Sequence, residues 1–219
     1  MLSKFISFQL RAQQDLQSCQ PLSTVDNFNL GEFIKSRWYV HQQAPTKYVP
    51  EERNYCSYAE YALKDKPSSP WGYTVKVNNY AEDKDGNAYG GELCAYQTNP
   101  DNVHELGKLA VAPCWLPSLA AGSYWVLAYE EEEGYALISG GQPTVQTENG
   151  CRFKDGIFES GLWIFLRSRE RNEKSIFKAR HVAKQMGFDL DVLNDVDQKN
   201  CERNNNNKFG ENNFAIVAE

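Results

Sequence analysis

The chain has 219 residues, 41% of them hydrophobic and 13% aromatic, with a net charge of −6 and a pI near 5.2. That is one generous domain or two small ones with enough apolar material for a core, and no apolar run approaches the ~18 residues of a membrane span. The acidic balance argues against a nucleic-acid partner, because binding phosphate requires a basic face.

In chain order, the opening MLSKFISFQLRAQQDLQ lacks the continuous apolar run of a signal peptide. Residues 1–18 read as an N-terminal extension, a mature or trimmed end packed loosely or as a short helix. NFNLGEFIKSRWYVHQQAP then places Trp38 after a short turn of Phe and Leu. An indole is costly to leave wet and needs a partner for its ring and its N–H, so a later segment must cover it. From Trp38 onward the chain reads as a meander. RNYCSYAEYALK is a strand of small and aromatic residues, interrupted by PSSP. WGYTVKVNNY alternates, with Trp71, Tyr73, Val75 and Val77 on one side and Gly72, Thr74, Lys76 and Asn78 on the other. KDGN carries the Asp-Gly hairpin signature. GNAYGGELCAYQ, KLAVAP, SYWVLAYE, YALISG and, after a Gly- and Asn-rich gap, GLWIFLRS follow. Eight short strands with turn residues between them predict an all-β barrel or sandwich.

One helix is predicted next. In RNEKSIFKARHVAKQMGF the residues Ile176, Ala179, Val182, Ala183 and Met186 form one stripe, and Gly187 suits the position just past the helix end. The outside of a barrel is the natural surface for that stripe. ERNNNNKFGENNFAIVAE is polar and of low complexity, so residues 202–219 read as a mobile tail. The six cysteines, at 19, 56, 94, 114, 151 and 201, show no CxxC spacing, and the three histidines are dispersed, so no metal site is expected. An even count without ligand clusters fits three disulfides in an oxidising compartment; six buried thiols in a reducing one is the plain alternative. Six cysteines allow 15 pairings, and arithmetic alone does not choose among them.

Three segments together resemble the lipocalin family. NFNLGEFIKSRWYV is similar to its first motif, a helical turn closing the barrel floor followed by Gly-x-Trp, with Ser36 in the Gly place. SYWVLAYEEEEGYALISGG resembles the second, the hairpin between two late strands, with Tyr129-Glu130 in place of Thr-Asp. GLWIFLRSRE resembles the third, with Arg167 at the end of the last strand. The similarity spans about residues 19–201 and is nearest to the subgroup of apolipoprotein D, bacterial and plastid lipocalins. It implies an eight-stranded antiparallel up-and-down barrel with one C-terminal α-helix packed outside, and a domain at 19–201.

The resemblance also implies roles. Arg167 would stack on Trp38 as a structural seal at the closed end, a cation–π contact worth ~0.5–2 kcal/mol. If Arg167 points inward, so do Phe165 and Trp163. Cys56 would be bridged outside the barrel to Cys201, which turns Tyr55, Ala59 and Tyr61 inward. With Trp71, Tyr73, Val75 and Val77 these residues would line an aromatic cup. Cys19 would pair with Cys151, and Cys94 with Cys114.

The implied function is binding and transport of a small hydrophobic molecule: a carotenoid or other isoprenoid, a sterol, a fatty acid or a tetrapyrrole. No catalytic residue and no cofactor beyond such a ligand is expected. The plainer reading is that the rings merely fill the barrel. A second class is a lipocalin-fold enzyme acting on a xanthophyll or lipid, like a de-epoxidase. Against it, all six cysteines are assigned to bridges, and Glu82, Asp83 and Asp85 read as solvated turn residues. A third is a stationary lumenal subunit of a membrane complex, with EEEE at 130–133 and APCWLPSLAAG at 112–122 as docking surfaces, unless the latter folds back on its own barrel. A monomer or weak dimer is expected, secreted or in a thylakoid lumen.

Overall fold

The computed structural model describes residues 19–154, 156 and 160–201; the expected extension at 1–18 and tail at 202–219 lie outside them. A five-residue helix, α1 (Leu30–Ile34), precedes β1 (Trp38–Gln43). The meander continues through β2 (Tyr55–Leu63), β3 (Val75–Glu82), β4 (Ala88–Gln97), β5 (Lys108–Pro113), β6 (Gly122–Glu130) and β7 (Tyr135–Ser139). A small hairpin, β8 (Val145–Thr147) and β9 (Gly150–Arg152), occupies the segment between the last two barrel strands. Then come β10 (Leu162–Leu166), α2 (Glu173–Gln185) and the two-residue β11 (Asn194–Asp195).

Each barrel strand pairs antiparallel with the next, and β10 returns to pair with β1, which closes an eight-stranded barrel of β1–β7 and β10. Closure leaves no free edge between first and last strands. The helix stripe behaves as its period requires. Asn172 caps α2 through bonds from the N–H groups of Lys174 and Ser175, and Gly187 lies just past its end at φ +82°. Ile176, Ala179 and Ala183 are buried against the outer faces of Leu137, Leu162, Ile164 and Leu166.

Three bridges tie the ends down: Cys19–Cys151, Cys56–Cys201 and Cys94–Cys114, closing sequence separations of 132, 145 and 20 residues. They are the pairings the resemblance implies. On the chain-entropy account the two long closures are each worth roughly 4–5 kcal/mol and the short one about 3. The hairpin β8–β9, in a stretch the sequence shows only as rich in Gly and Asn, presents Cys151 to Cys19.

Two bulges, one on β1 and one on β2, decide which side chains of those strands enter the barrel. On β1, Val40 faces Phe165 but Gln42 faces Ile164, so His41 is an extra residue. On β2, Tyr55 faces Glu82 and Tyr58 faces Tyr80, so three steps on one strand match two on the other, around Cys56 at φ +53°. A bulge shifts the parity of everything beyond it.

On β4, Gly90 sits at φ +134°, where an added Cβ would lie 2.1 Å from the backbone oxygen of Asn79. Backbone strain alone is worth about 1–3 kcal/mol, so Gly90→Ala is expected to lower the thermal midpoint by several degrees in a fluorescence melt.

Candidate functional site

The closed end is built around Trp38, which has no exposed surface. Asn29 caps α1, so the helix lays Phe33 and Ile34 into the floor, and the Trp38 Nε1–H donates to the Phe33 carbonyl at 2.9 Å. The Arg167 guanidinium lies 3.6 Å from the centre of the indole ring. It donates to the carbonyls of Ser36 (2.7 Å), Glu32 (3.0 Å) and Phe33 (3.1 Å), and pairs with Glu131 at 2.9 Å. Tyr129 donates to the same Glu131 oxygen at 2.7 Å. Burial, reinforced by that carboxylate, pushes the Tyr129 hydroxyl up to about 12. Burial also acts to raise the Glu131 carboxyl, but the Tyr129 and Arg167 hydrogen bonds outweigh it and hold the group below the ordinary range.

Above this floor the register fixes the inward set. Trp38 faces Ala59; Tyr61 faces Val77, Val77 faces Leu93, Ala95 faces Val111, Leu109 faces Tyr124, and Trp163 faces Ile138. Near the floor these side chains are packed out: Val75, Ala95, Leu109, Val126 and Phe165 are all buried. Towards the open end Leu93, Val111, Tyr124 and Trp163, with Tyr61, keep part of their surface accessible although they point into the barrel. Inward-facing groups that still offer surface are the walls of a cup. Across it, the Tyr61 and Tyr124 hydroxyls meet at 2.7 Å. They come from β2 and β6, halfway round the ring, and burial raises both above the ordinary phenol value. The inward faces of β2–β6 and β10 carry no charged side chain by this register.

The nine residues expected to line the cup divide. Ala59, Tyr61, Val75, Val77, Trp163 and Phe165 point inward, though Ala59, Val75, Val77 and Phe165 are buried in the packed core. Three do not line it, and these are corrections. Tyr55 pairs with Glu82 beyond the Cys56 bulge, so its parity is inverted and it faces outward. Trp71 lies in a turn before β3 begins and is 36% exposed. Tyr73 precedes the strand as well; its ring packs on Cys94 and Ala112 outside the sheet, and its hydroxyl donates to the Leu116 carbonyl at 3.1 Å. That contact shows the segment after β5 folding back over its own barrel, with Leu116 packed on this outer cluster while Trp115 and Leu119 stay exposed.

Tyr124, Leu93 and Val111 line the cup and were missed by the sequence reading. For Leu93 a signal existed: a disulfide-bonded Cys94 outside the sheet turns its neighbours inward. For Tyr124 it did not, since SYWVLAYE carries aromatics on both faces and a bulge between Val126 and Ala128 interrupts its alternation.

No family model and no curated protein matches the chain. Solved structures do. Lobster apocrustacyanin A1 superposes with a TM-score of 0.52 at 17% identity, over 78% of this chain and 79% of that one. Apocrustacyanin C2 gives 0.53 at 17% identity, over 78% and 81%. The major allergen Per a 4 from cockroaches gives 0.54 at 15% identity, over 82% and 94%. The chain has the lipocalin fold.

In this fold Trp38 and Arg167 join the first strand to the last, and Glu131 ties in the hairpin before β7. Arg167→Ala is expected to cost about 2–4 kcal/mol, from the lost ring contact, the lost pair with Glu131 and the bonds withdrawn from three floor carbonyls, of which Phe33 keeps the Trp38 indole N–H, read by denaturant unfolding. A carboxyl whose folded pKa is depressed stabilises above its unfolded value near 4.5 and loses that contribution as pH falls through the folded value. Glu131→Gln should therefore flatten the acid limb of the stability profile below about pH 4.5.

Proposed function

We propose that this protein binds and carries a small, neutral, largely apolar molecule in the upper half of its barrel, with an oxygen acceptor at the ligand's inner end. The observation that carries this reading is the Tyr61–Tyr124 pair inside an uncharged cup whose upper wall keeps accessible surface. Two hydroxyls sharing one bond leave one O–H without an acceptor among the described residues. Raised pKa values keep both protonated at working pH. The pair is thus a hydrogen-bond donor at the bottom of an apolar cup, suited to a ketone, aldehyde or alcohol oxygen.

Among the expected ligand classes this favours a carotenoid or other isoprenoid, or a sterol. A fatty acid or a tetrapyrrole would bring carboxylates into a cup that offers no cation. The Cys56–Cys201 and Cys94–Cys114 pairings support placing the chain near the apolipoprotein D, bacterial and plastid lipocalins. Three disulfides fit an oxidising compartment; a thylakoid lumen or the extracellular space both meet that condition. Since every cysteine is bridged, lipid chemistry by a free thiol has no nucleophile here. One observation favours a stationary partner instead: Trp115 is 70% and Leu119 100% exposed on a loop anchored by Cys94–Cys114.

Retinal, retinol and retinoic acid separate the requirements, with tryptophan fluorescence as the readout. Retinal and retinol should quench and retinoic acid should bind more weakly. The double substitution Tyr61→Phe/Tyr124→Phe should weaken retinal about tenfold, the worth of one hydrogen bond in a dry site. Absence of quenching by all three ends the carrier reading.

A further inference from the structure

Every connection between consecutive barrel strands carries charge, with one exception. The connections at 44–54, 64–74, 83–87, 98–107, 131–134 and 140–161 each hold two or more Asp, Glu, Lys or Arg residues. Residues 114–121, between β5 and β6, hold none, and the run without charge extends from Leu109 to Tyr129. Yet this connection presents the two most exposed large apolar side chains among the described residues, Leu119 and Trp115.

The backbone here is fixed. Cys94–Cys114 clamps its start, and turn bonds run from the N–H groups of Leu116, Ala120 and Ala121 to the carbonyls of Pro113 (2.9 Å), Pro117 (2.8 Å) and Ser118 (3.1 Å). From the wall beneath, the Tyr73 hydroxyl donates to the Leu116 carbonyl and the Tyr96 hydroxyl to the Ser118 carbonyl at 3.4 Å. Leu116 and Ala121 pack on the cluster of Tyr73, Cys94 and Ala112, which takes up the inner side of the connection. Trp115 and Leu119 are what remains, 70% and 100% exposed, and the anchored backbone keeps them from folding under. Trp71, 36% exposed, lies two residues before Tyr73 and so beside the same cluster. Large apolar side chains held in water in this way mark a surface that something covers.

Area and charge choose the cover. A stable protein interface buries about 800 Å² on each side. One leucine, most of one tryptophan and about a third of another offer roughly half of that. A second copy or a partner subunit needs more, whereas attachment to a lipid surface grows with whatever apolar area is inserted. An indole suits the boundary between acyl chains and headgroups, and a leucine suits the chains themselves. The charges at the border fit the same partner. The Lys64 ammonium lies 3.9 Å from Cys94 Sγ, at the edge of the cluster, and neither Lys64 nor Lys66 forms an ion pair among the described residues. With Asp65 between them they leave one net positive charge on a chain of net −6. Glu92, beside Cys114, is neutralised by Lys76 at 2.5 Å. Ammonium groups beside exposed indoles match lipid phosphate above acyl chains.

We propose that the β5–β6 connection docks the protein on a phospholipid surface, with Trp115 and Leu119 entering the boundary layer and Lys64 and Lys66 meeting headgroup phosphate. The docking stands apart from the cup; its use in loading and releasing an apolar cargo rests on the function proposed above. The test mixes the full chain with phosphatidylcholine vesicles and separates bound protein by flotation. The protein should float with the vesicles, and Trp115→Ser/Leu119→Ser should weaken that binding about tenfold. Its thermal melt should stay unchanged, since both side chains face water. Vesicles brominated on the acyl chains should quench part of the tryptophan emission. Trp115→Phe, which keeps an apolar ring, should still float and lose most of that quenching. Tyr61→Phe/Tyr124→Phe should float as the parent does, and Trp115→Ser/Leu119→Ser should bind retinal as the parent does without vesicles, so failure of the docking and failure of the cup are told apart. The proposal is overturned by protein that stays behind at every lipid concentration, by flotation that ignores the double substitution, or by quenching that persists in Trp115→Phe. A vesicle-free dimer that Trp115→Ser/Leu119→Ser dissolves, read by gel filtration, assigns the patch to a second copy and overturns it as well.

Discussion

One stacked pair holds the closed end together: the Arg167 guanidinium on the fully buried Trp38 indole. A barrel closes only if its first and last strands find each other, and that contact is the least local in the chain. Here it is made by groups that suit each other on every side. The indole supplies a face for the cation and a donor for the α1 carbonyl. The guanidinium supplies a fork for three floor carbonyls and a charge for Glu131. Because Arg167 is planar and always charged, it can meet a ring and a set of carbonyls together, which a lysine cannot. The floor is thus satisfied internally, and the apolar lower half of the barrel can pack above it.

That packing leaves the upper half free for another use. Trp38, Phe33, Tyr129 and Phe165 fill the space near the floor with rings 5.6–6.5 Å apart in pairs such as Phe33–Tyr129, Trp38–Tyr129 and Trp38–Phe165. The stability of the domain resides there, in α2 packed outside, and in disulfides that close very long loops. The rim is relieved of that duty, so Leu93, Val111 and Trp163 can present surface that is not consumed by neighbours. The paired hydroxyls mark the boundary between the two regimes, where the first polar group above the floor is also the first that a guest would meet.

The wall is not uniform, because β1 and β2 share only two residue pairs and part above them. The chain after the helix repairs the breach with backbone and amide hydrogen bonds, and Cys56–Cys201 locks the repair. A repair made from a segment rather than a strand satisfies most, though not all, of the local polar atoms. His41 Nδ1 and Gln198 Oε1 are the two buried side-chain atoms left without a hydrogen-bond partner among the described residues.

Period and punctuation made the all-β meander, the helix with its buried stripe and its stop at Gly187 legible in the sequence, since each depends on neighbours a few residues apart. The resemblance carried the longer-range contacts: the Trp38–Arg167 seal and the three cysteine pairings. The inward Val77 followed from alternation alone, and Tyr61 and Trp163 from alternation anchored on the cysteine and arginine that the resemblance assigned. Tyr55, Trp71 and Tyr73 did not, and each failed for one reason. Alternation holds only inside an unbroken strand, and the Cys56 bulge and the late start of β3 break it. The Tyr61–Tyr124 pair lay beyond the sequence altogether. It joins residues 63 positions apart, and such meetings are set by the curvature and closure of the sheet, which no local pattern encodes.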